Sequence, residues 1–190
     1  MTRYAYDCEF IEDGKTIDLV SIGIVADDGR EFYAVSSEFD QHKLLANPWL
    51  RANVWPSLPT TEPHQYRDDL PPHGRLDTDH PDVRPRAQIA RAVKSFILGD
   101  DPDELPYVEL WADYGAYDHV ALCQIWGRMI DLPEGMPMFT HDVRHEASRH
   151  GLSDKDLPRQ ESGLHNALAD ARHTKACVDF LDGLARQATA

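Results

Sequence analysis

Cysteine is scarce in this sequence, and so is positive charge. The 190 residues include three cysteines, Cys8, Cys123 and Cys177, far apart and each in an apolar stretch. An odd, scattered set predicts buried free thiols in a reducing cytoplasm and excludes a disulfide framework. No Cys-x-x-Cys or paired Cys/His spacing occurs, which argues against structural zinc. No apolar run approaches the length of a bilayer span, and no charged-then-apolar leader opens the sequence. The expectation is a cytoplasmic chain that stays out of the membrane. Against 33 acids stand 19 Lys and Arg, a net charge of −14. That balance works against a nucleic-acid partner, and it fits a short or single-stranded ligand held at a few phosphates better than a duplex. A chain of this length predicts one domain, residues 1–190, around a single core.

What the sequence has in plenty is acid, and some of it is oddly placed. In YAYDCEF (residues 4–10) two carboxylates interrupt an apolar strand. Strand side chains alternate, so Asp7 and Glu9 share one face while Tyr6, Cys8 and Phe10 share the other. Like charges that close repel, and desolvation raises the penalty. A divalent cation relieves both, and carboxylate oxygens select magnesium or manganese over softer ions. An edge strand with two solvated acids is the plain alternative. No other aspartate in the chain has a glutamate two positions later.

A second acidic site lies near the far end, in GLHNALADARH (residues 163–173). His165 and Asp170 are five apart, about 140° around a continuous helix, so they converge only if His165 precedes the helix. Asn166 is suited to cap its start. His64 and Asp69 have the same spacing among prolines with no helical pattern, which reads as coincidence. A fifth group, Asp118, follows an apolar strand where a helix begins, a position at which α/β sheets carry functional groups. Asp113, at the end of the same strand, competes with it.

Residues 3–10, 17–26 and 30–37 read as three strands joined by tight turns, with Asp27-Asp28-Gly29 as a hairpin signal. Short helices are expected at 41–46 and 49–54. Seven prolines between Pro56 and Pro85 mark a long irregular segment. Helical periodicity returns over 85–98. A strand at 107–112, a helix at 116–129 burying Val120, Leu122, Ile125 and Trp126, a short strand at 136–140 and a helix at 141–149 follow. The last helix spans 166 to about 185, with Leu168, Ala171, Cys177 or Val178, and Leu181 inward. Trp111 is assigned to the core; His141, His145, His150 and His173 to solvated helix faces. The loose histidines His64, His73 and His80 predict no metal site. Three meandering strands followed by alternating helix and strand predict an α/β fold with a mixed sheet.

Asp7, Glu9, Asp118, His165 and Asp170, in that order, resemble the DEDDh family of 3′–5′ exonucleases. YDCEFIEDGKTIDLVSIGIV, GAYDHVALCQIWGRM and HNALADARHTKACVDFL are most similar to its actinobacterial exoribonuclease branch, which prefers adenylate-rich RNA. The likeness runs from residue 3 to about 182 and is weakest over 53–84. Two departures stand out: Tyr114 replaces the family's common Asn, and Phe10-Ile11-Glu12 replaces its Thr-Gly run. Both argue against a DNA proofreading subunit.

The resemblance implies a ribonuclease-H-like sheet and release of nucleoside 5′-monophosphates from the 3′ end of single-stranded RNA. It implies two Mg²⁺ ions about 4 Å apart, with Mn²⁺ able to substitute. Asp7, Glu9 and Asp170 would hold one ion; Asp7, with Asp118 through water, the other. His165 would be the general base, a task suited to an imidazole. The Glu9-Phe10-Ile11 backbone would seat the 3′ hydroxyl, with Phe10 and Tyr117 near the terminal base. A homodimer is also implied. A DNA-directed exonuclease of the same family and a non-catalytic ribonuclease-H-like binding module are the alternatives.

Overall fold

Large side chains at Tyr4, Tyr6 and Cys8 alternate with Ala5, Asp7 and Glu9. In the computed structural model this stretch is an interior strand of a six-stranded sheet, β1 (Thr2–Glu12). The structure describes residues 2–61, 74–101, 103 and 105–188. β2 (Ile17–Ala26) returns antiparallel to β1, and β3 (Glu31–Ser36) pairs antiparallel to β2. Two short helices follow, α1 (Gln41–Ala46) and α2 (Pro48–Asn53), then a 3₁₀ turn (Trp55–Ser57). β4 (Val83–Arg84) joins parallel to β3, and α3 (Arg86–Leu98) leads to β5 (Val108–Ala112), parallel to β1. α4 (Ala116–Gln124), β6 (His141–Asp142), α5 (Val143–Arg149) and α6 (Ala167–Ala188) complete the chain. The sheet order is β4-β3-β2-β1-β5-β6, antiparallel among β1–β3 and parallel elsewhere, the ribonuclease-H-like arrangement.

The two faces of β1 have different work. Tyr4, Tyr6 and Cys8 pack with Ile22 and Ile24 of β2, with Ile89, Val93 and Ile97 of α3, and with Leu122 of α4. The opposite face receives α6, which lies on β1 and β2. Beside it, Leu50, Val54, Trp55 and Leu58 fold onto Ile11, Val20 and Val35. Val143 and Ala147 of α5 meet Cys177, Val178 and Leu181 of α6, with Leu157 between them. All three cysteines are buried and free, as expected. Burial raises each thiol, Cys177 to about 11, so none is a thiolate at neutral pH. Among the described residues no helix is long and apolar enough to cross a membrane.

Several expectations need correction. The strand expected at 136–140 falls instead at His141–Asp142. Pro133 and Gly135 turn the chain there, with Met136 N–H donating to Pro133 O at 3.0 Å, and Met138 and Phe139 are exposed. His141 is thus a strand residue, stacked on Trp111 with centroids 4.7 Å apart, and not on a helix. The helix expected to reach 129 ends at Gln124, where the hydrogen bonds tighten to i+3 and Gly127 turns to φ 109°. Val120 is exposed, because α4 faces the sheet with Asp118, Ala121 and Leu122, and Val120 lies on its far side. Trp126 and Trp111 are half-buried against the core. β4 was hidden in the proline-rich segment, of which residues 62–73, with His64 and His73, lie outside the described residues. His80 accepts the Asp82 N–H at 3.3 Å, a local turn contact.

Candidate active site

Strand register sets the first two acids. Asp7 pairs with Gly23 and Glu9 with Ser21, and the β1–β2 register then slips between Glu9 and Phe10. Gly23 has no side chain for a physical reason. A Cβ there would lie 2.3 Å from Ala167 O and Leu168 N, so only glycine lets the first turn of α6 rest on β2 beside Asp7. That close approach carries Asp170 to the strand acids. Asn166 Oδ1 accepts the Ala169 N–H at 3.1 Å and caps the helix, as its place in the sequence predicts.

Asp118 arrives from the other side. β5 pairs with β1 only as far as Ala5, so further along β1 the Cys8 N–H turns to the Asp118 Oδ1 at 2.8 Å. Gly115 makes the tight corner before α4, since a Cβ there would meet Ala112 Cβ at 2.7 Å. Asp113, the competing acid, also lines the cleft, but its two oxygens accept Arg144 Nε and Nη2 at 2.5 and 2.6 Å. Arg144 further pairs with Asp154 at 2.9 Å.

His165 stands before α6 and not on it, with a left-handed backbone at φ 63°. Its N–H donates to Asp170 Oδ2 at 2.9 Å, and its Nδ1 is 4.0 Å from Glu9 Oε1. Glu9, His165 and Asp170 each offer a ligand atom within 4.8 Å of the others. Asp7, Asp118 and Phe10 line the same cleft. Phe10 and Tyr117 stack at 6.1 Å with the rings 16° from parallel, and Tyr117 is half exposed. The Ile11 side chain is buried in the core with Val20 and Val35, and among the described residues it is not part of the cleft lining.

The acids repel one another as the sequence suggests. Burial, with Asp118, Glu9 and Asp170 nearby, holds the Asp7 carboxyl well above its ordinary range. Burial, then Asp170 and Asp118, pushes Glu9 up to about 8. Burial raises Asp118 to about 7 against the opposing Cys8 N–H. Burial also raises Asp170, although hydrogen bonds from Gln160 and His165 pull the other way. Burial and mutual repulsion therefore oppose ionisation of the four carboxylates together, a cost that a bound cation would offset.

Sequence reasoning missed several groups. Gln160 Nε2 donates to Asp170 Oδ1 at 2.6 Å and fixes that carboxylate. His173, expected on a solvated face, lines the cleft one turn beyond Asp170 with its Nε2 3.6 Å from Cys177 Sγ. The i, i+3 spacing from Asp170 could have found it. Nothing in the sequence around Gln160 marks it.

A mixed sheet with acids from its first strand, from the helix after its fifth and from its last helix defines a DEDDh-type nuclease of ribonuclease-H-like fold. A family model described as the 3′–5′ exoribonuclease Rv2179c-like domain matches residues 2–181. Two relatives from Mycobacterium tuberculosis are each 45% identical over 170 residues, covering 90% of this chain and 87% of theirs. They are the 3′–5′ exoribonuclease Rv2179c of strain H37Rv and the 3′–5′ exoribonuclease MT2234.1 of strain CDC 1551. The chain belongs to the Rv2179c-like 3′–5′ exoribonuclease family.

Proposed function

We propose that the chain is a metal-dependent 3′–5′ exoribonuclease that removes nucleoside 5′-monophosphates from single-stranded RNA. The observation that carries this reading is the cluster of Glu9, His165 and Asp170 within 4.8 Å, set among buried acids of raised proton affinity. Asp7, Glu9 and Asp170, with Asp118 beside them, would hold two divalent ions, Mg²⁺ or Mn²⁺. Such ions, when bound, stabilise charge on the phosphoryl and leaving oxygens. Hard oxygen donors and the absence of any thiolate in the cluster suit these ions better than zinc or copper.

His165 is the general base. It takes a proton from the attacking water and is poised by the Asp170 contact at its own N–H. Phe10 and Tyr117 offer aromatic surface for the terminal base, and the Phe10–Ile11 backbone borders the place for the 3′ hydroxyl. Asp113 is spoken for by Arg144, which leaves Asp118 as the acid of that corner. The likeness to actinobacterial exoribonucleases supports an adenylate-rich substrate and a homodimer. The buried thiols support a cytoplasmic setting for what we read as one exonuclease domain.

The test is a 5′-labelled oligoadenylate incubated with purified protein and Mg²⁺. The expected result is a ladder shortening one nucleotide at a time, with AMP released. Internal fragments, or no products over a range of metal and pH, would refute it. A matched DNA strand degraded faster would overturn the RNA assignment.

A further inference from the structure

α2 and the 3₁₀ turn after it carry none of the acids, yet they reach the catalytic loop. Ser57 Oγ lies 2.8 Å from His165 O, across 108 residues of sequence. The Trp49 ring meets the His165 ring edge-on with centroids 4.7 Å apart. Both contacts come from a rigid base. Asn47 caps α2 by accepting the Trp49 and Leu50 N–H groups at 2.9 and 3.2 Å, while Leu50, Val54, Trp55 and Leu58 are buried against β1–β3.

His165 needs such support. A histidine in the left-handed region is strained, and it stays there only where its surroundings fix it. Relaxation toward the right-handed or extended region would swing the imidazole away from Glu9. Its N–H is tied to Asp170, and among the described residues its carbonyl accepts a hydrogen bond only from Ser57. The Ser57 hydroxyl has one proton and a second carbonyl, Val54 O, also at 2.8 Å. Val54 O already accepts the Ser57 backbone N–H at 3.0 Å, so the 3₁₀ turn does not depend on the hydroxyl. Losing the hydroxyl removes the one hydrogen-bond donor that the described residues offer the His165 carbonyl.

We propose that Ser57 and Trp49 are positioning residues that clamp His165 in its left-handed conformation with the imidazole facing Glu9. The clamp rests on the reading of His165 as the general base. It acts on that residue by holding its backbone and one ring face, and among the described residues neither side chain hydrogen-bonds to Asp7, Glu9, Asp118 or Asp170.

A double-mutant cycle tests it. Single-turnover rates on oligoadenylate at saturating Mg²⁺ are measured for the parent, Ser57→Ala, His165→Ala and the double variant. Calorimetric Mn²⁺ affinity and thermal melting are followed in each. Ser57→Ala should lower the rate about tenfold, since a small misplacement of a reacting group has effects of that order. KM and Mn²⁺ affinity should stay within about twofold, and Ser57→Thr, which keeps a hydroxyl, should restore most of the rate. In the His165→Ala background the Ser57 change should have no effect beyond about twofold. A tenfold loss that persists there would overturn the clamp while leaving His165 as the base. A fully active His165→Ala would overturn the base assignment and the clamp together. Trp49→Phe should lower the rate severalfold at unchanged KM. A raised KM at unchanged rate would place Trp49 against the substrate and remove it from the clamp.

Discussion

Replacing Glu9 by Gln should make the metal-free protein more stable at pH 8 while abolishing its activity. Glu9 is 8% exposed, and its folded carboxyl titrates at about 8 against an ordinary value of 4.5. The folded chain therefore holds this proton more tightly than the unfolded chain does. Stability from the protonated group is fully present below about pH 4.5 and is lost as pH rises to about 8. At about 1.4 kcal/mol per pH unit, the span between those values caps the loss at about 5 kcal/mol. The cap is not reached, because Asp7, Asp118 and Glu9 titrate as a group and relief at one site lets another ionise. About 2 kcal/mol is the expected gain from Gln at pH 8, or about 4–8 °C in melting temperature for a chain of this size.

The assay is thermal melting in EDTA at pH 5 and pH 8. At pH 5 the folded parent still carries a neutral Glu9 and has lost less than about 1 kcal/mol, so parent and variant should melt within about 4 °C of each other. At pH 8 the variant should melt higher. Saturating Mn²⁺ should reverse the order, since at a hundredfold excess over the dissociation constant a bound ligand adds about 2.7 kcal/mol to the state that binds it. A variant that melts lower than the parent at pH 8 in EDTA, or by the same margin at both pH values, would refute the reasoning. Glu9 would then be a satisfied structural acid.

Asp7→Ala should lose nuclease activity and the calorimetric Mn²⁺ signal with its circular dichroism intact; cleavage at the parent rate would sink the two-metal reading. Gly23→Ala should lower the melting temperature by several degrees and depress activity, because a Cβ 2.3 Å from the α6 backbone must lift that helix and Asp170 with it. An alanine variant as stable and active as the parent would show that α6 does not depend on this contact. Gln160→Ala should weaken Mn²⁺ binding about 10–100-fold, the usual effect of removing a group that orients a metal ligand. Unchanged calorimetric affinity would reduce Gln160 to a loop tether. His165→Ala should lower the single-turnover rate about 10²–10⁴-fold with Mn²⁺ affinity nearly constant; an undiminished rate would leave that residue as a loop former only.

The α/β class and its three leading antiparallel strands were legible because they rest on local pattern, whereas the grouping of four acids with one histidine was read from the resemblance to a known family. Asp7 and Glu9 follow from strand alternation, and the position of His165 outside α6 follows from a five-residue spacing that one helix cannot reconcile. The differences came from tertiary packing. β4 is two residues long and pairs only because β3 offers an open edge, so no periodicity announces it. Val120 was misassigned because apolar character alone says nothing about helix rotation, which Asp118 fixes by taking the Cys8 N–H. Gln160, Ser57 and Trp49 reach the site through contacts between distant segments, and single residues of that kind carry no sequence period.

The net charge of −14 follows from the same design. Arg3, Arg30, Arg86, Arg128, Arg144, Arg149, Arg172 and Lys175 are each paired with carboxylates, so much of the cationic charge is spent inside the protein's own surface. The other cations are outnumbered by the 33 acids, which works against a continuous basic track for a phosphate backbone, and exposed pairs of this kind add little stability each. On the function proposed above, affinity for a polymer would come from its end: divalent ions held by the acids, the aromatic surface of Phe10 and Tyr117, and a terminal hydroxyl. Such a site would favour chain ends over chain interiors, because its electrostatic attraction would be confined to the cations that the acids hold. On that reading, preference for a chain end over the interior would be a consequence of where the site's attractions lie.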